Sequence, residues 1–174
     1  MGFDNLVDES DPYNIKRVKV VDAGNSAGRI IFIDNQNYNN GIQLNQINGP
    51  ESDLPVTFIF SALKPVVLTG TITGNVRMFF AGDFQFGMGT ETVAYNGLTM
   101  FMSNGDMNIC GSIWSDKNNP GGGFLSSDKD ITIVESASFK GQIQCRGNFK
   151  TSGLIQFNDS VLKAPGFTVP KGMK

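Results

Sequence analysis

The sequence predicts an all-β protein, and three observations predict it. Apolar residues come in short runs rich in Val, Ile, Thr and Phe, and no window of about 11 residues free of Gly or Asn carries the i, i+3, i+4, i+7 spacing of an amphipathic helix. Asn-Gly pairs, which accept positive φ and mark tight turns, recur at Asn40-Gly41, Asn48-Gly49, Asn96-Gly97 and Asn104-Gly105. Charged residues are 17 % of the chain, against roughly 25 % in average proteins, and glycine occurs 21 times. Low charge with abundant Gly and Asn is the composition of many strands joined by turns.

In chain order the strand-like runs are 17–21, 29–34, 41–47, 56–61, 66–72, 77–81, 84–86, 92–95, 98–102, 107–114, 131–134, 137–140, 142–145 and 154–157. Their close spacing favours an antiparallel β-sandwich or jelly roll. The segment "VKVVDAGNSAGRIIFID" (18–34) reads as a hairpin of that fold. The alternative is a right-handed parallel β-helix, a solenoid, in the second half. There a glycine, an Asp or Asn and an apolar residue recur as Gly74-Asn75-Val76, Gly82-Asp83-Phe84, Gly105-Asp106-Met107 and Gly147-Asn148-Phe149. Asp83, Asp106, Asp128 and Asn148 follow one another at 20 to 23 residues, a spacing that suits the coils of a solenoid. The domain reading is an extended acidic arm over 1–14, one all-β domain over 15–160 and an extended tail over 161–174.

The chain has no histidine, which removes Ser-His-Asp and Cys-His catalysis. "GNSAG" (24–28) satisfies the G-x-S-x-G pattern, but the β-branched run "RIIFID" follows where a nucleophile elbow needs a helix, so it reads as a hairpin loop. Cys110 and Cys145 lack a metal spacing and read as buried thiols inside strands. The acidic start "DESDPYN" lacks the spacing of a calcium loop. No cofactor and no metal site is expected. "NNPGGGF" (118–124) has no Lys-Ser/Thr after it to hold a phosphate and reads as a long loop. A net charge of −2 without a broad Lys/Arg cluster argues against nucleic acid as a partner. No apolar run approaches the roughly 20 residues of a membrane helix, no secretory signal is expected, and Leu6 argues against myristoylation after Met1-Gly2.

Three functional readings follow. Histidine-free, turn-rich composition with arm-like ends resembles that of virus and phage particle proteins, so the first is a non-enzymatic structural component of a virion (minor capsid, decoration, fibre or spike protein) made in the host cytoplasm. It would act by self-association and docking as a homo-oligomer with other virion proteins. Adjacent Phe79 and Phe80 point to opposite faces of a strand, and "VTFIF" and "LTMFM" are likewise apolar on both sides, so Phe79, Phe80, Phe58 and Phe60 are the candidate subunit-interface residues. The second is a carbohydrate-binding domain for a surface glycan, with Trp114 and Tyr95 as stacking platforms. The third is a polysaccharide hydrolase: stacked carboxylates of Asp83, Asp106 and Asp128 would resemble the acidic rows of spike-like β-helices that cut polysaccharide. Carboxylates at turns are also good turn formers, and no catalytic residue is assigned.

Overall fold

A computed structural model of the chain describes residues 9–10, 16–36, 40–87, 92–93, 99–113, 123–135 and 137–157. These fold as a parallel β-solenoid. One ladder contains β1 (Glu9–Ser10), β2 (Lys16–Asp22), β4 (Ile42–Asn48), β6 (Val66–Leu68), β9 (Phe84–Phe86), β12 (Met107–Ile109), β15 (Ile131–Ile133) and β17 (Phe149–Thr151), in that order, with β7 (Ile72–Thr73) also pairing with β4. The other runs β3 (Ile30–Ile33), β5 (Val56–Phe60), β8 (Val76–Phe80), β11 (Thr99–Ser103), β14 (Gly123–Ser127) and β16 (Ser138–Cys145). From β16 it continues through β13 (Ser112–Ile113) to β10 (Thr92–Val93), and β18 (Leu154–Phe157) also pairs with β16. We call the ladders sheet A and sheet B.

Every pairing is parallel except β1 with β2. The antiparallel sandwich is thereby corrected, and the solenoid extends into the first half of the chain as well as the second. The expected hairpin at "VKVVDAGNSAGRIIFID" does not form. β2 pairs with β4 and β3 pairs with β5, so residues 23–29, including the G-x-S-x-G match, turn a corner from sheet A to sheet B. Ser26 is fully buried at that corner. The physical reason is that a Gly/Asn corner and a hairpin turn use the same residues, and what separates them is whether the next strand lies beside its predecessor or one coil away.

Strand placement from the sequence survives with local changes. The run 66–72 divides at residues 69–71 into β6 and β7, and 107–114 divides at Cys110-Gly111, so Cys110 sits at a corner instead of inside a strand. The Gly-rich loop of 118–124 is corrected at its end, because Gly123 and Phe124 open β14. No disulfide joins Cys110 and Cys145.

Alternation explains the core. Val56, Phe58 and Phe60 on β5 and Val76, Met78 and Phe80 on β8 point inward and are buried. Phe80 stacks on Phe84 with ring centroids 4.1 Å apart and on Phe60 at 5.2 Å, and Phe84 meets Phe101 at 4.8 Å. This aromatic ladder links three coils and both sheets. Glycine serves close approach: a Cβ on Gly105 would overlap the Asp83 carboxylate and lie 2.6 Å from its backbone nitrogen. Only a residue without a side chain lets one corner settle on the one before it.

Candidate docking surface and carboxylate row

At the corner leading from sheet B to sheet A, four segments of five residues share one local pattern: a strand-end residue, then two more of which the second is usually Gly, then Asp or Asn, then an apolar residue that opens the next strand of sheet A. They are Phe80 to Phe84, Ser103 to Met107, Ser127 to Ile131 and Cys145 to Phe149. Asp83 Oδ1 accepts the Asp106 N–H at 2.9 Å, Asp106 Oδ1 accepts the Asp130 N–H at 3.2 Å, and Asp130 Oδ1 accepts the Asn148 N–H at 2.8 Å. Beside it runs a second row. Ser103 Oγ donates to the Gly82 carbonyl at 2.7 Å and Ser127 Oγ to the Gly105 carbonyl at 2.7 Å, while each hydroxyl also accepts a main-chain N–H two residues on. Sequence reasoning missed this hydroxyl row; its signal is Ser103 and Ser127 each standing three residues before an aligned Asp.

The aspartate series is thus half right as read from the sequence. Asp83 and Asp106 lie on successive coils, but their continuation is Asp130, and Asp128 is displaced by two positions. Asp128 pairs instead with Arg146 at 3.3 Å, an exposed ion pair worth roughly 0–1 kcal/mol. The main-chain and side-chain donors of Asn148, together with nearby Lys150, hold the Asp130 carboxyl below the usual carboxylate range. A carboxylate bonded in this manner is favoured in its charged form, the reverse of what a general acid requires. Among the described residues no three His, Cys, Asp or Glu side chains converge as a metal site, and no helix is long and apolar enough to cross a membrane.

The outward side of sheet B is different in character. The register aligns Phe32, Ile59, Phe79 and Met102 on β3, β5, β8 and β11, one row of outward side chains crossing four strands. Phe32 is 69 % exposed, while Ile59, Phe79 and Met102 are half-buried. Beside them a shallow groove of about 280 Å³ is bordered by polar side chains of Ser61, Asn104, Ser126 and Asp128. The adjacent outward row holds Arg77, half-buried between Thr57 and Met100. Burial lowers its pKa from the usual arginine value, and Nε has no hydrogen-bond partner.

Of the four phenylalanines expected at a subunit interface, Phe79 presents its ring outward. Phe58, Phe60 and Phe80 lie within the solenoid's own core. Two-sided apolarity is real on β8 and β11, where the alternation sends Phe80 and Phe101 inward and Phe79 and Met102 outward. Trp114 and Tyr95 lie outside the described residues. Comparison with known protein families, curated proteins and solved structures finds no match for this chain.

Proposed function

We propose that the protein is a non-enzymatic structural component of a virus or phage particle, or of a similar assembly, and that it works by self-association and docking. One observation carries the docking part: the outward row Phe32, Ile59, Phe79 and Met102, which leaves apolar side chains at the surface of a sheet whose inward face is already packed. Contiguous exposed apolar surface of this kind marks interaction sites. Assignment to a particle rests on the histidine-free, turn-rich composition and is an analogy of class. The Asp83, Asp106 and Asp130 row supports the fold through main-chain hydrogen bonds.

The test is light scattering on the wild-type chain and on Ile59→Ser/Phe79→Ser. The wild type is expected to be larger than a monomer, with its side-by-side association reduced at least tenfold in the double variant. An unchanged size distribution in the variant overturns the docking role of this row.

One arrangement favours a second reading, a carbohydrate-binding domain: the Phe79 side chain beside Ser61, Asn104, Ser126 and Asp128 combines an apolar platform with hydroxyl-binding groups. A glycan array with Phe79→Ala as control tests it, and the absence of any Phe79-dependent sugar signal sinks it.

A further inference from the structure

Arg77 is a charge without a counter-charge. It stands on β8 two residues before Phe79, so both side chains leave the outer face of sheet B, about 7 Å apart along the strand. Its Nε is buried and has no hydrogen-bond partner, and no carboxylate among the described residues pairs with it. Asp128 borders the neighbouring groove, but it lies just past the end of β14, two strands from β8, and is paired with Arg146 at 3.3 Å.

The surroundings of the guanidinium are apolar. Across the register Arg77 lies between Thr57 and Met100, and Phe124 follows Met100 on β14. Met100 and Phe124 are only 7 % and 8 % exposed although they point outward. A guanidinium does not lose its proton in a protein, so burial beside such residues leaves it charged and short of the hydrogen bonds that water would supply. Burial is also what lowers its pKa, with no carboxylate acting to raise it. An anion placed there replaces the lost solvation, and its attraction to the guanidinium is stronger at a partly dry surface than in bulk water.

Chemistry narrows the anion. The Nε and Nη hydrogens of a guanidinium form a fork that matches two oxygens of a carboxylate or sulfate. From Phe79 onward the groove carries Ser61, Asn104 and Ser126, whose side chains both donate and accept hydrogen bonds, as sugar hydroxyls do. At about 280 Å³ the groove is at the small end of ligand sites, with room for a short stretch of a chain. A protein carboxylate could use the same guanidinium, but a polar border around an aromatic face favours a sugar.

We propose that this groove takes an acidic glycan, with a sugar ring lying on Phe79 and a carboxylate or sulfate accepting from the Nε edge of Arg77. The proposal rests on the carbohydrate-binding reading above and names the class of sugar.

Matched oligosaccharides test it: uronate, sialylated and sulfated oligomers, each beside its neutral counterpart, titrated against the wild type, Arg77→Gln, Arg77→Lys and Phe79→Ala. The wild type is expected to bind at least one acidic class about tenfold or more tightly than its neutral partner, the scale of a hydrogen-bonded charge. Arg77→Gln is expected to remove that preference together with its salt dependence, and Arg77→Lys, which keeps the charge and loses the fork, to restore only part of it. Equal affinity for acidic and neutral sugars overturns the inference and leaves the carbohydrate reading standing, whereas the absence of any Phe79-dependent sugar signal overturns both. Stability supplies a readout that needs no ligand. Arg77→Gln removes an unpaired, partly buried charge, so its urea midpoint is expected to be unchanged or higher. A clearly lowered midpoint means that the guanidinium has a partner inside the chain and overturns the inference. So does a smaller assembly of Arg77→Gln in light scattering with no sugar signal in the wild type, which assigns Arg77 to a protein contact.

Discussion

Phe79 and Phe80 are neighbours in sequence with the same side chain, and the fold assigns them opposite environments, so truncating each in turn is a direct test of register. Phe80 is 2 % exposed and lies against the rings of Phe84, Phe60 and Phe101, at centroid distances of 4.1, 5.2 and 6.4 Å. Phe80→Ala removes the transfer free energy of a buried ring and leaves a cavity whose other walls are held by main-chain ladders, a loss of about 3–5 kcal/mol. The stacked partners push the value toward the upper end, since each aromatic pair contributes about 0.5–1.5 kcal/mol beyond its area. Phe79 is half-buried on the outer face, where truncation opens no enclosed space, so Phe79→Ala is expected to cost about 1 kcal/mol. Urea unfolding followed by far-UV circular dichroism measures both. Against a total stability of about 5–15 kcal/mol the two midpoints separate clearly. Equal losses, or a larger loss at Phe79, would refute the register of β8, because a slip of one residue exchanges the two faces.

The corner packing and the carboxylate row each give a further prediction. Gly105→Ala places a methyl group into the Asp83 carboxylate and 2.7 Å from the Gly82 carbonyl carbon, and main chain cannot swing aside. A loss of about 1–3 kcal/mol and several degrees of Tm is expected, while Gly24→Ala, whose Cβ meets only the Asp22 carboxylate at 3.6 Å, is expected to be near neutral. A neutral Gly105→Ala in the same thermal melt contradicts the close stacking of these corners. Asp130 has a pKa lower when folded than when unfolded, so its contribution is fully present above about pH 4 and is lost as pH falls below that through the lowered folded value. Hydrogen exchange is expected to show the Asn148 amide losing protection as pH falls through the lowered folded value of Asp130, a change that Asp130→Asn abolishes. Unaltered protection in the wild type speaks against the bond.

The sequence made individual strands legible because inward and outward residues alternate: "VTFIF" and "VRMFF" announce their buried faces whatever the arrangement of strands. Architecture was less legible, because the chain marks a corner and a reversal with the same Gly and Asn. Residues 23–29 read as a hairpin for that reason, although β2 and β3 never pair. The row was visible where glycine precedes an acid or amide, at Asp83, Asp106 and Asn148. It was lost at Asp130, where Lys129 takes the place of that glycine and Asp128 offers a false alignment. β14 escaped because it begins in a glycine run, and Gly123 is there since a Cβ would come 2.7 Å from the Phe139 ring. The outward stripe was half visible. Phe79 against Phe80 follows from alternation, but its union with Phe32, Ile59 and Met102 depends on which strands are neighbours, and that is a property of the coil.

A row of aspartates on successive coils has two possible uses, and the bonding here serves the structural one. A carboxylate that acts on a substrate keeps an oxygen for it and, when it must donate a proton, has a raised pKa. Here each aligned aspartate spends an oxygen on the next coil's main chain, and at Asp130 the shift is downward. In this bonding the row acts alongside the hydroxyls of Ser103 and Ser127 and the close-packed Gly105: it ties each coil to the one before. Such a device is repetitive and directional, and it has no internal reason to stop. Among the described residues the row ends at the last coil, where Phe149 is 41 % exposed while Ile42, Val66, Phe84, Met107 and Ile131 are buried.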